Sequence, residues 1–94
     1  MENKQDSILA AAKLLKSIGH PIRLKIIIAL SQNSSMTVTQ ISNYLLIHQP
    51  IISLHLAVLR KKNVIRVKRD GKKSHYSIED ISVKQIINIA YNSR

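Results

Sequence analysis

Thr39-Gln-Ile-Ser-Asn-Tyr-Leu-Leu-Ile-His-Gln-Pro-Ile-Ile-Ser-Leu-His-Leu-Ala-Val-Leu59 is the stretch that decides the fold. Ile41 and Leu45 recur at helical spacing before Ile47 and His48, and Ile52, Leu56 and Leu59 recur after them, so the stretch reads as two short amphipathic helices joined by a tight turn. Thr37 or Thr39 caps the first helix in this reading, and the second runs from Gln49 to about Lys62. Asn63 stands where that helix should stop, and asparagine tolerates the left-handed backbone needed there.

The face of the second helix opposite Ile52, Leu56 and Leu59 carries Gln49, Ile51, Ser53 and Leu54. A glutamine amide can bond adenine through two hydrogen bonds, and apolar side chains can meet a thymine methyl. Exposed Ile51 and Leu54 equally suit contact with a neighbouring helix, and for them both readings stay open. His55 either donates to a phosphate or packs beside Leu56, while His48 and Arg60 flank the same helix.

Charge points the same way. Between Asp6 and Asp70 there is no Asp or Glu, and this span ends in Arg60, Lys61, Lys62, Arg66, Lys68 and Arg69. Val64 to Arg69 and Lys73 to Ile78 form a hairpin around a turn centred on Asp70-Gly71, which brings Lys68, Arg69, Lys72 and Lys73 together at its tip. Four cations with one Asp repel one another unless an anion is near, and a duplex is the polyanion that a basic helix-turn-helix most often meets.

Outside this centre, a first helix starts with Asp6 or Ser7 as its cap, shows Ile8, Leu9, Ala12 and Leu15 on one face, and ends at Gly19. His20-Pro21 opens a second helix with Ile22, Ile26, Ala29 and Leu30 as its stripe, and Ser31 to Ser35 reads as a loop. A last helix begins at Asp80 or Ser82 and reaches Tyr91, with Ile81, Ile86, Ile89 and Ala90 at helical spacing and Ile87 widening the stripe. Residues 1–94 therefore read as one mainly α domain with a small β-hairpin and no repeat or linker.

Composition excludes several classes. The chain has 94 residues, 45% of them hydrophobic, with a net charge of +10 and no cysteine. Disulfides, thiolate metal sites and cysteine redox sensing are thereby excluded, and a reducing cytoplasm is the default expectation. Three Tyr without Phe or Trp weaken a single-stranded nucleic-acid reading, because such binders stack bases on aromatic side chains. Apolar runs are too short to cross a bilayer, the N-terminus does not read as a signal peptide, and the lysines of the terminal helices are too few for a membrane-binding face. His20, His48, His55 and His75 lie in four different elements with no ligand spacing, so neither metal nor cofactor is expected. Without carboxylates in the central span, and without a Gly-rich phosphate loop, no catalytic set can be assembled.

The order helix, helix, helix-turn-helix, basic hairpin, helix, together with Gln49-Pro-x-x-Ser53-x-His55-Leu56-x-x-Leu59, resembles the ArsR-type (ArsR/SmtB) winged-helix repressors of prokaryotes. Leu15 to Arg23 and the pattern from Val64-Ile65 through Arg69-x-Gly71-Lys72 to Tyr76-x-Ile78 extend the likeness over roughly Leu14 to Ile78. The resemblance implies a homodimer built from the first and last helices, with Ile8, Leu9, Ala12, Leu15, Ile86, Ile89 and Ala90 at the interface. It also implies an imperfect palindrome in double-stranded DNA as the partner. The DNA contacts it suggests are His48, Gln49, Ile51, Ser53, Leu54, His55, Arg60, Arg66, Lys68, Arg69, Lys72 and Lys73.

Three positions depart from the family pattern. Leu46 stands where the turn usually has Gly, which makes a left-handed backbone costly and leads one to expect a rebuilt turn. His48 replaces a Ser or Thr cap, and Gln40 replaces an acidic residue. The sensor positions differ too. Thr37 and Thr39 align with a Cys-x-Cys metal site and cannot replace its thiolates, and Ile81 to Arg94 has none of the Asp and His that a last-helix site needs. The expectation is a sequence-specific regulator, a repressor, with an unidentified inducer. A winged-helix module for protein interaction or nonspecific nucleic-acid packaging is the alternative, and sequence selectivity separates the two.

Overall fold

In the computed structural model, which describes residues 4–93, the chain runs as α1 (Lys4–Ile18), α2 (Pro21–Gln32), α3 (Val38–Leu45), α4 (Gln49–Lys61), β1 (Ile65–Asp70), β2 (Lys73–Ile78) and α5 (Ile81–Ile87). The last helix continues through a π-helical turn at Asn88–Asn92. This is the five-helix and hairpin order expected. α1 is already helical at Lys4, so Asp6 lies inside the first turn instead of capping it, where a negative charge suits the positive end of the helix dipole.

α2 is the central helix. Pro21 opens it where a missing N–H costs nothing, and the Nδ1 of the preceding His20 accepts the Ile22 N–H at 3.1 Å. It runs on through Ser31 and Gln32, which were expected in a loop. The Ser31 hydroxyl donates to the Ile28 carbonyl at 2.7 Å and the Asn33 amide donates to the Ala29 carbonyl at 2.9 Å, supplying partners to the last turn. α2 packs against α1, α3, α4, α5 and β2, which explains why Ile27 is buried beside Ile26, Ala29 and Leu30 although it lies off the single expected stripe.

Thr37 and Gln40 close a capping box on α3. Thr37 Oγ1 accepts the Gln40 N–H at 3.2 Å and Gln40 Oε1 accepts the Thr37 N–H at 2.9 Å. The helix then ends at Leu46, whose φ of 57° is left-handed. The expected rebuilding of the turn does not occur. Ile47 N–H bonds the Ser42 carbonyl at 3.2 Å, the six-to-one bond of a Schellman ending, while the Ser42 hydroxyl donates to the Ile47 carbonyl at 2.5 Å. These two bonds hold the leucine in a conformation that it would otherwise avoid.

α4 buries Ile52, Leu56 and Leu59 as expected, and truncating any of them to Ala would cost about 2–5 kcal/mol. It ends as α3 does. Asn63 takes φ 59° and Val64 N–H bonds the Leu59 carbonyl at 3.0 Å. The antiparallel hairpin pairs Ile65 with Ile78 at its base and Asp70 with Lys73 at its tip. Its two-residue loop is therefore Gly71-Lys72, one position beyond the expected centre. Gly71 carries the positive φ of 64° that a II′ turn needs at its first central position. Met36 bridges to Tyr76 through two backbone bonds of 2.9 and 2.8 Å and so ties the hairpin to the segment before α3.

Asp80 caps α5, accepting the Ser82 N–H at 3.0 Å and its hydroxyl at 2.6 Å. The core side of α5 is Val83 and Ile87, with Ile86 half-buried against it. Ile81, expected on the apolar stripe, is exposed. Among the described residues, no helix is long and apolar enough to cross a membrane.

Candidate nucleic-acid interface

α4 separates its two faces cleanly. Ile52, Leu56 and Leu59 lie in the core, whereas Gln49, Ile51, Ser53 and Leu54 are exposed, Leu54 to 63%. Pro50 sits at the start of the helix, where no N–H is needed, and His48 precedes it without a side-chain cap bond. His48 is thus exposed at the mouth of the helix with its ring uncommitted. Gln49 is positioned: its Nε2 donates to the Thr39 Oγ1 at 3.1 Å, holding the amide at the junction of α3 and α4. The pairing of Thr39 with Gln49 was not anticipated, though each residue stands at the start of one helix of the pair.

His55 lies on the inner flank of α4, half-buried, with its ring 4.6 Å from that of His20. Its Nδ1 is enclosed without a hydrogen-bond partner. Burial, and then the neighbouring His20 and Arg23, hold its pKa below the ordinary imidazole value, because each disfavours the charged ring. The contact between His20 and His55 crosses two helices 35 positions apart and has no local signal. Arg60 is exposed near the C-terminal end of α4.

The hairpin divides its cations. Lys68, Arg69, Lys72 and Lys73 are exposed toward the tip, with Asp70 among them. Arg66 stands apart at the base, where its Nε donates to Ser77 Oγ at 3.2 Å and lies 3.5 Å from a Glu79 carboxylate oxygen. A cleft of about 510 Å³ separates the start of α3 from β2, and Lys72 and Lys73 overlook it. The positive end of the α3 dipole and two ammonium groups around one concavity make a setting in which an anion is stabilised.

Ile8, Leu9, Ala12 and Leu15 of α1 and Ile89 and Ala90 beyond α5 are exposed, whereas Ile86 is shared with the core. Among the described residues no group of three or more His, Asp or Glu could hold a metal ion. The two threonines aligned with a metal site have other work, Thr37 capping α3 and Thr39 holding Gln49.

A helix-turn-helix whose second helix shows an outer face that the core does not use, followed by a cationic hairpin bonded back to the segment before α3, defines a winged helix-turn-helix DNA-binding protein. Residues 20–67 match the sequence model for the bacterial regulatory protein, arsR family. An uncharacterized HTH-type transcriptional regulator of Methanocaldococcus jannaschii is 39% identical over 79 residues, covering 84% of this chain and 89% of that one. The transcriptional repressor PagR of Bacillus anthracis is 40% identical over 78 residues, 83% of this chain and 78% of its own length. The crystal structure of PagR superposes with a TM-score of 0.85 at 37% identity over 93% of this chain and 99% of that one. The chain belongs to the ArsR family, whose members are DNA-binding transcriptional regulators and not enzymes.

Proposed function

We propose that this regulator is a homodimeric repressor that reads an imperfect palindrome in double-stranded DNA. α4 of each copy lies in a major groove, and the hairpins rest on flanking minor grooves or phosphates. The division of α4 into a buried apolar face and an exposed face of Gln49, Ile51, Ser53 and Leu54 carries this reading. The helix needs none of those four for its core, and Gln49 is held ready by Thr39. Lys68, Arg69, Lys72 and Lys73 supply phosphate contacts, joined by Arg60 and His48 along α4. Arg66, engaged with Glu79, adds less. His55 acts from behind the helix by packing.

The homodimer is supported by the exposed Ile8, Leu9, Leu15 and Ile89, with Ala12 and Ala90 between them, because a small chain gains stability by covering such faces. Repression is supported by the similarity to PagR, a transcriptional repressor. The protein works in the cytoplasm, and its release from DNA depends on something other than a thiol or a metal cluster.

Selection of bound fragments from the source genome tests the proposal. The expected result is an inverted repeat whose half-sites lie about 10–10.5 base pairs apart, centre to centre. Uniform recovery of sequence would instead identify a packaging module.

A further inference from the structure

We infer that a cleft between α1, α2 and α4, remote from the hairpin, binds a phosphate-bearing small metabolite. The cleft measures about 320 Å³ and is lined by Lys13, Lys16 and Ser17 of α1, Arg23 of α2, Val58 of α4 and Lys62, the residue that caps the end of α4. That volume lies at the lower end of small-molecule sites, roughly 300–1,000 Å³, and suits a ligand the size of a sugar phosphate. Lys13, Lys16 and Ser17 share one face of α1 by their spacing, and Val58 and Lys62 share one face at the end of α4. The helices therefore aim their cations into a common concavity.

Four cations line this cleft and no acid does. None of the four pairs with an acid among the described residues, where the ion pair found joins Arg66 to Glu79. Arg23 adds the sharper observation. It lines the cleft while its Nε is buried without a hydrogen-bond partner, so its guanidinium is partly desolvated before any ligand arrives. The other guanidinium N–H groups of Arg23 remain as donors that an oxygen-rich anion in the cleft can engage. A phosphomonoester fits better than a monocarboxylate, because it brings a charge near −2 and three acceptor oxygens to several donors at once.

Lys62 lies two residues beyond Arg60, so this edge alone of the cleft adjoins a residue assigned to phosphate contact in the proposed complex. The remaining walls come from α1 and α2, not from the hairpin.

Titration of the free protein with ribose 5-phosphate and with inorganic phosphate, at fixed ionic strength and read by amide NMR shifts, tests the site without reference to DNA binding. The expected result is saturable shifts at Lys16, Ser17, Arg23 and Lys62, with ribose 5-phosphate binding more tightly. Lys16→Ala with Lys62→Ala, two exposed positions that do not threaten folding, should weaken binding about tenfold or more. Arg23→Gln should do the same, and Lys72→Ala with Lys73→Ala should leave it unchanged. Shifts that fail to saturate, or that centre on the hairpin, would overturn the site. So would a short duplex that displaces ribose 5-phosphate from these residues, since the cleft would then be a DNA backbone contact.

Discussion

The imidazole rings of His20 and His55 meet at 4.6 Å with an interplanar angle of 37°, joining the cap of α2 to the inner flank of α4. His20 Nδ1 accepts the Ile22 N–H, so its proton sits on Nε2 when the ring is neutral. Protonating both rings would place two charges against each other and against Arg23.

This contact makes stability depend on pH. The pKa of His55 in the folded chain is held below its unfolded value, so the unfolded state binds the proton more readily. The stability carried by neutral His55 is fully present above about pH 6.5, the unfolded imidazole value, and is lost as pH falls through the lower folded value. Urea midpoints measured from about pH 8 down to pH 5 should fall on the acid side, and His55→Gln should flatten that fall. A His55→Gln profile as steep as the parent's would place the pH dependence elsewhere.

Gln49 sits where α3 meets α4, already oriented by Thr39. Gln49→Ala should weaken binding to the cognate site by about 1–3 kcal/mol while barely changing binding to random duplex. Fluorescence anisotropy on the two duplexes checks this. Equal losses would mean that the amide holds the turn and reads no base.

At the hairpin tip, Lys72 and Lys73 are exposed and unpaired by any described acid. Phosphate contacts position a protein without carrying sequence information, so Lys72→Ala with Lys73→Ala should weaken cognate and random DNA alike. In a dimer the slope of log affinity against log salt should flatten by up to about 3.6, from about 0.9 for each of four contacts. An unchanged slope would show that the tip faces solvent in the complex.

Ile89 is the residue that separates assembly from folding. It is 71% exposed, whereas Ile86 also packs on the core and its replacement would disturb both. Ile89→Asp should shift the chain from dimer to monomer in sedimentation at micromolar concentration while helical circular dichroism is retained. A parent chain that sediments as a stable monomer would end the two-fold operator scheme.

Leu46 holds a left-handed backbone with its side chain 89% exposed. The left-handed conformation costs a non-glycine residue roughly 1–2 kcal/mol, and glycine's extra freedom in the unfolded chain takes back about 0.5–1 kcal/mol. Leu46→Gly should therefore stabilise the free protein by about 0.5–1 kcal/mol in urea denaturation. A destabilised variant would show that the bonds from Ser42 and Ile47 already relieve the strain of the left-handed leucine.

What was legible in the sequence was local. Pro21 at a helix start, Asn63 at a helix end, and the faces of α4 each follow from chemistry within a few residues, and all stand as expected. The turn of the hairpin slipped by one position because Asp-Gly can fill more than one pair of places, and the pairing of Asp70 with Lys73 decides it. Along α5, Ile81, Val83, Ile86, Ile87 and Ile89 offer more than one stripe, and packing against α2 selects Val83 and Ile87. The Leu46 turn was misjudged because its compensation lies in Ser42. In the candidate site, the outward residues of α4 were legible from periodicity. Packing was one of two readings open for His55, but its partner His20 was not legible because it is distant in the chain.

The bridge from Met36 to Tyr76 has a consequence for which duplexes fit. Met36 lies one residue before the cap of α3, so its two backbone bonds make the hairpin and the helix pair a single rigid caliper. In the proposed complex its jaws are the face of α4 and the tip at Lys72 and Lys73. B-form DNA offers a major groove wide enough for a helix, with backbone at a matching distance on either side. An A-form RNA duplex has a deep, narrow major groove that excludes α4 while the tips rest on its phosphates. In the proposed complex, two hydrogen bonds midway along the hairpin thus set the gauge that a B-form duplex would have to match.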